Sequence, residues 1–158
     1  MYNGNYANDR AEIENLQARY MFALDWQDAE AYANTFAEDG VLDWARGVVK
    51  GRKAIREEME TLKKVMFAGA GPAASGLPMR LRHYISNLVL KVDGDCASAR
   101  AYWHEMKNDG PERAIRIIGY GHYDDELVRV NGEWLFQSRR INNVQLPGRA
   151  GAETNPAW

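Results

Sequence analysis

The sequence has little cysteine and no long apolar run. Its single cysteine, Cys96, cannot form an internal disulfide and has no Cys or His nearby in metal-ligand spacing. No stretch approaches the ~20 apolar residues that a membrane-spanning helix requires, and residues 1–10 lack the apolar core of a signal peptide. These absences favour a cytoplasmic protein in a reducing compartment, with no membrane as partner.

An excess of charge of either sign is also missing. The chain has 20 Lys and Arg against 22 Asp and Glu, a formal net charge of -2, and the two signs alternate along the chain. Nucleic acid and anionic membranes are therefore not expected as partners. With 158 residues the chain can bury one core of its own, and it contains no internal repeat and no domain boundary.

The first 66 residues have the apolar spacing of helices. Asp9 and Glu12 stand in capping-box spacing ahead of apolar residues that recur every three or four positions, which predicts a first helix to about residue 24. Asp28 is expected to cap a short second helix that runs to Phe36 and ends before a turn at 38–40. A short strand over 41–44 and a third helix after Gly51 follow.

From residue 80 onward the apolar period changes to two, which is typical of strands. The Gly-, Ala- and Pro-rich segment before it, 68–79, is predicted to be a mobile loop. Strands are predicted near 80–92, 97–107, 114–130 and 133–144, with turns at 93–95, 108–110 and Asn131-Gly132. Helices followed by an antiparallel meander indicate an α+β fold in which the helices cover one face of a curved sheet.

Alternation within the strands selects the side chains that point inward. His83 lies among apolar neighbours on one face of the first long strand, and Trp103 and Tyr123 are expected on the inner faces of the next two. The phase of the first long strand changes near Asn87, which predicts a β-bulge, and bulges often re-aim residues beside a site. These residues are therefore candidates for the lining of a pocket.

The third long strand is apolar on both faces. Its alternation places Ile115 and Ile117 inward together with Tyr123, while Ile118 and Tyr120 occupy the opposite face. A sheet with two apolar faces usually meets another subunit, so we expect an oligomer.

Asp25 is unusual because it lies at the C-terminal end of the first helix, where the helix dipole disfavours a carboxylate. It is either a connector or capping residue, or a functional one, and both interpretations remain open. A lone histidine such as His83 is likewise more often a hydrogen-bonded core residue than a catalyst. If Asp25 is buried beside His83, its carboxylate would fix the tautomer of the imidazole and raise its basicity.

Short motifs follow one another along residues 9–144 in a defined order. They are Tyr20-Met-Phe-Ala-Leu-Asp25-Trp-Gln-Asp28, Phe36-Ala-Glu-Asp-Gly40-Val, Gly51 with Ile55, His83-Tyr-Ile-Ser-Asn87, Gly94-Asp-Cys-Ala97, Gly121-His-Tyr123 and Asn131-Gly-Glu-Trp134. Together they resemble the SnoaL-like branch of the nuclear-transport-factor-2-like superfamily. The resemblance implies a cone-shaped α+β barrel around a deep pocket, commonly a homodimer or homotrimer. Outside the motifs, residues 1–8 are expected to form a flexible N-terminus and 145–158 an irregular tail that could form a lid.

The resemblance also implies site residues. In the dehydratase and dehydrochlorinase members, an Asp matching Asp25 pairs with a His matching His83, and that His removes a proton from carbon. The bile-acid enzyme has a Tyr five residues before its Asp, which Tyr20 matches. Scytalone dehydratase differs, because its Tyr is replaced here by Trp44 and its second histidine falls near Ala101, so a one-histidine mechanism is implied.

We therefore hypothesise a cofactor-free lyase with no metal, dehydratase-like or cleaving a C–C bond by a retro-aldol route, which acts on a small hydrophobic, aromatic, hydroxylated substrate. The side chains expected to contact that substrate are Trp44, Trp103, Tyr123, Arg80 and Asn87. One alternative is a non-catalytic protein of the same fold that binds a small ligand or a partner. A second is the small subunit of a ring-hydroxylating dioxygenase.

Overall fold

Helices occupy the first part of the chain, as the apolar spacing predicts. The computed structural model describes residues 5–66, 76, 79–109 and 111–157. The helices are α1 (Tyr6–Trp26), α2 (Ala29–Ala33) and α3 (Arg52–Met66), with a 3-10 turn at Pro111–Arg113. None of the helices in these ranges has the length and apolarity that crossing a membrane demands.

The start of α1 differs from the prediction. Asn5 occupies the N-cap position, so Asp9 lies inside the helix and does not cap it. Its buried carboxylate instead forms an ion pair with Arg129, which Glu12 also approaches at 3.5 Å. The capping-box spacing therefore reflects a tertiary ion pair, in which two acids one turn apart reach the same guanidinium. Asp28 does cap α2, since its Oδ1 accepts a hydrogen bond from the backbone N–H of Ala31 at 2.9 Å.

Six strands form one sheet. They are β1 (Phe36–Trp44), β2 (Gly47–Lys50), β3 (Leu81–Asp93), β4 (Cys96–Lys107), β5 (Arg116–Val130) and β6 (Glu133–Asn143). The order across the sheet is β2-β1-β6-β5-β4-β3, with β1 and β6 parallel and all other neighbours antiparallel. The sheet is curved and not closed, so the α+β class is confirmed and the wall around the pocket is an open sheet completed by helices.

The four long strands lie where the period of two predicts them, and turns are present at 94–95 and Asn131-Gly132, whereas residue 110 of the predicted turn at 108–110 lies outside the described residues. Asn131 and Gly132 have φ of 51° and 85°, the left-handed conformation that a tight hairpin turn requires. The bulge in β3 is present between Ser86 and Val89, with Asn87 at φ 56°. The predicted loop at 68–79 lies outside the described residues except for 76 and 79.

The region 36–50 was predicted less well. Residues 38–40 belong to β1 and form no turn, because β1 pairs with β6 from Phe36 onward and absorbs a register shift before Val41. Gly40 is needed there, since a Cβ at this position would lie 2.9 Å from the carbonyl oxygen of Ala37. The short strand β2 was not predicted.

The core lies between α1 and the inner face of the sheet. Ile13 and Leu16 of α1 are fully buried in one cluster with Ala97 and Ala99 of β4, and α1 packs mainly on β3 and β6. Burial of each such aliphatic side chain stabilises the fold by about 1.5–3 kcal/mol. The helix is thereby held at a fixed distance from the strands that carry the site.

A buried ionic cluster links α1 to the two central strands of the sheet, β5 and β6. Arg139 of β6 and Asp125 of β5 form a salt bridge at 2.7 Å with both side chains fully buried. Gln17 of α1 donates to Asp125 at 2.9 Å, and its own carbonyl accepts a hydrogen bond from Arg139. Burial alone would lower the pKa of Arg139, but Asp125 more than offsets this, so the pKa lies above its ordinary value and the guanidinium stays charged.

One prediction about the outer face of the sheet is wrong. Ile115 and Ile117 do not point inward but are 71% and 60% exposed, because the register of β4 and β5 shifts between Glu105 and Met106. Ile118 is the unpaired residue of β5 at this shift, so the side chains before it point to the opposite face from the one that the alternation predicts. Exposed aromatic side chains lie on this outer face beside Ile117: Tyr84, Tyr102 and Tyr120. The oligomer expected from an apolar second face, and the homodimer or homotrimer that the resemblance implies, stay predictions.

The described part of the tail, 145–157, is irregular and contacts β1, β6 and β5. Arg149 forms an ion pair with Asp43 at 2.6 Å and donates to the carbonyl of Ile141 at 3.3 Å. Gly151 packs so closely on the ring of His122 that a Cβ would collide with it. A lid role for the tail stays a prediction.

Candidate active site

A cavity of about 180 Å³ opens between the inner face of the sheet and the helices α1 and α3. This is close to the ~150 Å³ of a cavity that holds a benzene molecule. The wall is mainly apolar and includes Leu24, Leu42, Trp44, Met59, Leu62 and Trp103. Such a wall, with a few polar groups in it, suits a small hydrophobic ligand.

Asp25 and His83 meet in the wall of this cavity. The His83 Nδ1 and the Asp25 Oδ1 are 2.7 Å apart, and both side chains are nearly buried, at 10% and 5% exposed. The backbone N–H of His83 donates to the Asp25 carboxylate as well, at 3.0 and 3.1 Å. These hydrogen bonds compensate the carboxylate at the end of α1, and they are available because β3 is an edge strand whose outer N–H groups need no other strand.

The helix ends where it does because of Gln27. This residue has φ 57° and ψ 36°, and its backbone N–H donates to the carbonyls of Ala23 and Leu24 as a left-handed C-cap. Asp25 is thereby placed in the last turn of α1, facing β3.

Glu105 contacts the second nitrogen of the imidazole. Its Oε2 lies 3.2 Å from the His83 Nε2, and it is the cross-strand neighbour of His83 in β4. Gly119 in β5 leaves room for this carboxylate, since a Cβ there would collide with Oε1. We did not single out Glu105 from the sequence, although the alternation that sends Trp103 inward sends Glu105 to the same face.

The two carboxylates control the charge of His83. Burial would lower the pKa of the imidazole, but its hydrogen bonds to Asp25 and Glu105 and the charges of both acids more than offset that effect. The pKa of His83 is therefore raised above its ordinary 6.5. An ionised Asp25 only accepts hydrogen bonds, so Nδ1 carries a proton and Nε2 is the nitrogen that can exchange one.

Three tyrosines lie behind this array. The hydroxyls of Tyr20 and Tyr32 are 2.8 Å apart, and Tyr20, Tyr32 and Tyr123 all line the cavity. Burial raises the pKa of all three phenols, so each is neutral and can donate a hydrogen bond. The guanidinium of Arg139 stacks 4.2 Å from the ring centre of Tyr20 and 4.0 Å from that of Tyr123, and its charge opposes part of this rise.

The remaining predicted side chains divide into two groups. Trp44 and Trp103 line the cavity, and the Trp103 indole donates to the carbonyl of Asn142 at 3.0 Å. Arg80 and Asn87 were expected to contact substrate, but neither lines the cavity. Arg80 is exposed at the start of β3, and the bulge turns Asn87 outward to solvent.

The described residues form no candidate site for a metal ion. Within them, no three side chains of His, Cys, Asp or Glu are grouped as ligands for an ion.

Most of the chain is similar to known proteins. Residues 5–140 match the model of the SnoaL-like domain. Rv2910c, an uncharacterised protein of Mycobacterium tuberculosis, is 28% identical over 134 residues, which cover 84% of this chain and 83% of that protein.

Among solved structures, a variant of Rv3472, a protein of unknown function from Mycobacterium tuberculosis, is 29% identical, with coverage of 93% and 83% and a TM-score of 0.73. A scytalone dehydratase-like protein of Novosphingobium aromaticivorans is 23% identical, with coverage of 90% and 88% and a TM-score of 0.70, a similarity that concerns the fold alone.

Proposed function

The chain belongs to the SnoaL-like family, and from this premise we propose that it is a cofactor-independent lyase. Its substrate is a small hydrophobic molecule, aromatic and hydroxylated, that enters the apolar cavity. The observation that carries the proposal is the array Asp25–His83–Glu105, in which an imidazole with a raised pKa lies between two carboxylates at the cavity wall. Perturbed titratable groups in a cleft are typical of acid/base catalysis.

The contact between His83 and Glu105 supplies both a base and an acid. One proton shared between Nε2 and Oε2, 3.2 Å apart, leaves either an imidazolium facing a carboxylate or a neutral imidazole facing a carboxylic acid. In the second form Nε2 can accept a proton and Glu105 can donate one. Asp25 holds the imidazole in the required tautomer throughout.

Elimination of water uses these groups in turn. Nε2 of His83 removes a proton from the carbon next to the carbinol carbon, the C–H electron pair forms the double bond, and the C–O bond breaks. Glu105 gives its proton to the departing hydroxyl, which leaves as water. The imidazolium then returns a proton to Glu105, so the array is restored and the overall reaction releases only alkene and water.

Neutral tyrosines support the oxygen that gains charge. Tyr20 and Tyr123 line the cavity and can donate hydrogen bonds to such an oxygen without ionising. The same groups would serve a retro-aldol cleavage, in which Nε2 removes the proton of a hydroxyl, the oxygen forms a carbonyl and the C–C bond breaks. The electron pair of that bond stays on the departing carbon, to which Glu105 gives its proton. We place elimination first and retain C–C cleavage as the second reaction of the same site.

Replacement of His83 tests the proposal. We expect His83→Ala to lower turnover of an aromatic β-hydroxy compound by about 10²–10⁴-fold, because a positioned base contributes an acceleration of that size. Product formation and C–H exchange in deuterated water would be followed by mass spectrometry. His104→Ala is the matched control, since His104 lies on the next strand and stacks on Tyr84 at the outer face; it should keep wild-type turnover.

Two outcomes would contradict the proposal. Full activity of His83→Ala would show that the array does not carry the chemistry. Binding of candidate substrates by the wild-type protein with neither product nor exchange would favour a non-catalytic ligand-binding protein.

A further inference from the structure

We propose that Lys63 selects substrates that carry an acidic group, bound with the anion at the rim of the cavity and the reacting carbon at His83. This inference rests on the proposed function, because it assigns the substrate class of the same site. Lys63 lies in the last turn of α3 and lines the cavity together with Met59 and Leu62. Its side chain is also exposed, so it lies where the cavity meets solvent.

The pairing of charges along α3 sets Lys63 and Lys64 apart. Every other charged side chain of this helix has an oppositely charged partner within 4.0 Å, through the pairs Arg52–Glu38, Lys53–Glu57, Arg56–Glu30, Arg56–Glu60 and Arg46–Glu58. Within the described residues, no carboxylate lies that close to the ammonium of Lys63 or of Lys64. The segment 67–78, which follows the helix, contains no acidic residue.

Lys63 differs from Lys64 in where it lies. Lys64 is exposed and does not line the cavity, so its charge is a solvated surface charge. Lys63 is the one lysine or arginine among the described residues that line this cavity. A cation without a carboxylate partner, at the edge of an apolar wall, is suited to an anionic group on the ligand.

The charges of the site also fix the direction in which such a ligand lies. Asp25 and Glu105 would repel an anion at the inner end of the cavity. The ammonium of Lys63 attracts it at the rim. An aromatic acid would therefore place its ring against Trp44 and Trp103 and present its other end to His83.

A pair of probes that differ only in charge tests this inference without turnover. We expect 2-naphthoate to bind the wild-type protein more tightly than 2-naphthamide, as measured by isothermal titration calorimetry. Lys63→Gln should weaken binding of the acid about fivefold and leave the amide unchanged, because a partly exposed ion pair is worth up to ~1 kcal/mol. Lys64→Gln is the matched control and should change neither affinity.

Salt provides a second readout. In the wild-type protein the affinity for the acid should fall as ionic strength rises, and in Lys63→Gln this dependence should be reduced. Equal affinity of the two probes, failure of both to bind, or an equal loss in Lys63→Gln and Lys64→Gln would overturn the inference. Selective binding of the acid in a protein that catalyses no elimination or cleavage would contradict the lyase proposal alone.

Discussion

His83 has a carboxylate at each ring nitrogen, so its charge depends on both neighbours. Asp25 fixes Nδ1 from the end of α1, and Glu105 reaches Nε2 from the adjacent strand. Because the folded pKa lies above the unfolded value, the array stabilises the fold fully below pH 6.5, and this contribution is lost as the pH rises through the raised pKa.

Titration of the imidazole by nuclear magnetic resonance tests this coupling directly. We expect the His83 ring signal to titrate above pH 6.5, and to titrate at lower pH in Asp25→Asn and in Glu105→Gln, because each replacement removes a charge that favours the imidazolium. With three histidines in the chain, single replacements of the other two assign the signal. An unchanged pKa in both variants would mean that the carboxylates do not control the imidazole.

Asp25 and His83 could be predicted from the sequence because each breaks a local rule. A carboxylate at a helix C-terminus and a histidine on an apolar strand face both require partners, and the structure gives them one another. Glu105 followed no such rule, since a charged residue near the end of a strand is usually solvated. Its role depends on Gly119 in the next strand, a tertiary relation that the alternation within one strand does not reveal.

At the scale of elements, register decides which side chains reach the site. The phase of β4 places Trp103 and Glu105 inward without interruption, and that phase could be predicted. The shift at Ile118 could not, because a bulge inserts one residue without changing the composition of the strand. For the same reason only the second half of β1, 41–44, was predicted as a strand: the residues at 38–40, Glu, Asp and Gly, are typical of loops, but they belong to a strand that pairs with β6 across an irregular register.

Two glycines of β5 offer a matched test of this register. Gly119→Ala should move the Glu105 carboxylate away from His83 and lower the pKa of the imidazole with little loss of stability, because only the end of a flexible side chain is displaced. Gly121→Ala should lower the free energy of unfolding by about 1–3 kcal/mol, because its Cβ would collide with the backbone carbonyl of Asn142.

Urea denaturation and the His83 titration would separate the two effects. An equal loss of stability in both variants would contradict the difference between a side-chain obstacle and a backbone obstacle.

At the scale of the whole molecule, the fold depends on a charged link between its layers. Arg139, Asp125 and Gln17 connect β6, β5 and α1 in full burial, while the rings of Tyr20 and Tyr123 cover the guanidinium. The α+β class, the helices and the four long strands followed from periodicity, which is a local property. This cluster could not be predicted from periodicity, because Arg139 and Asp125 each lie between other polar residues of their strands and no apolar neighbour marks them as buried.

Removal of one partner should be far more costly than removal of both. We expect Arg139→Met to lower the free energy of unfolding by about 3–5 kcal/mol, because Asp125 would remain charged and buried without its partner. The double variant Arg139→Met with Asp125→Leu should recover much of that loss, as measured by urea denaturation. A double variant as unstable as the single one would show that the cluster stabilises the fold through packing and not through charge balance.

The unclosed sheet divides the cavity wall between two kinds of element. The side chains of the Asp25–His83–Glu105 array lie on α1, β3 and β4, where strand pairing and helix packing hold them. Met59, Leu62 and Lys63 come from α3, which contributes nothing to the hydrogen-bond ladder. Substitutions in α3 should therefore alter which molecule the cavity admits and leave the array of Asp25, His83 and Glu105 in place. Sequence variation confined to α3 would then be enough to change the ligand that this fold prefers.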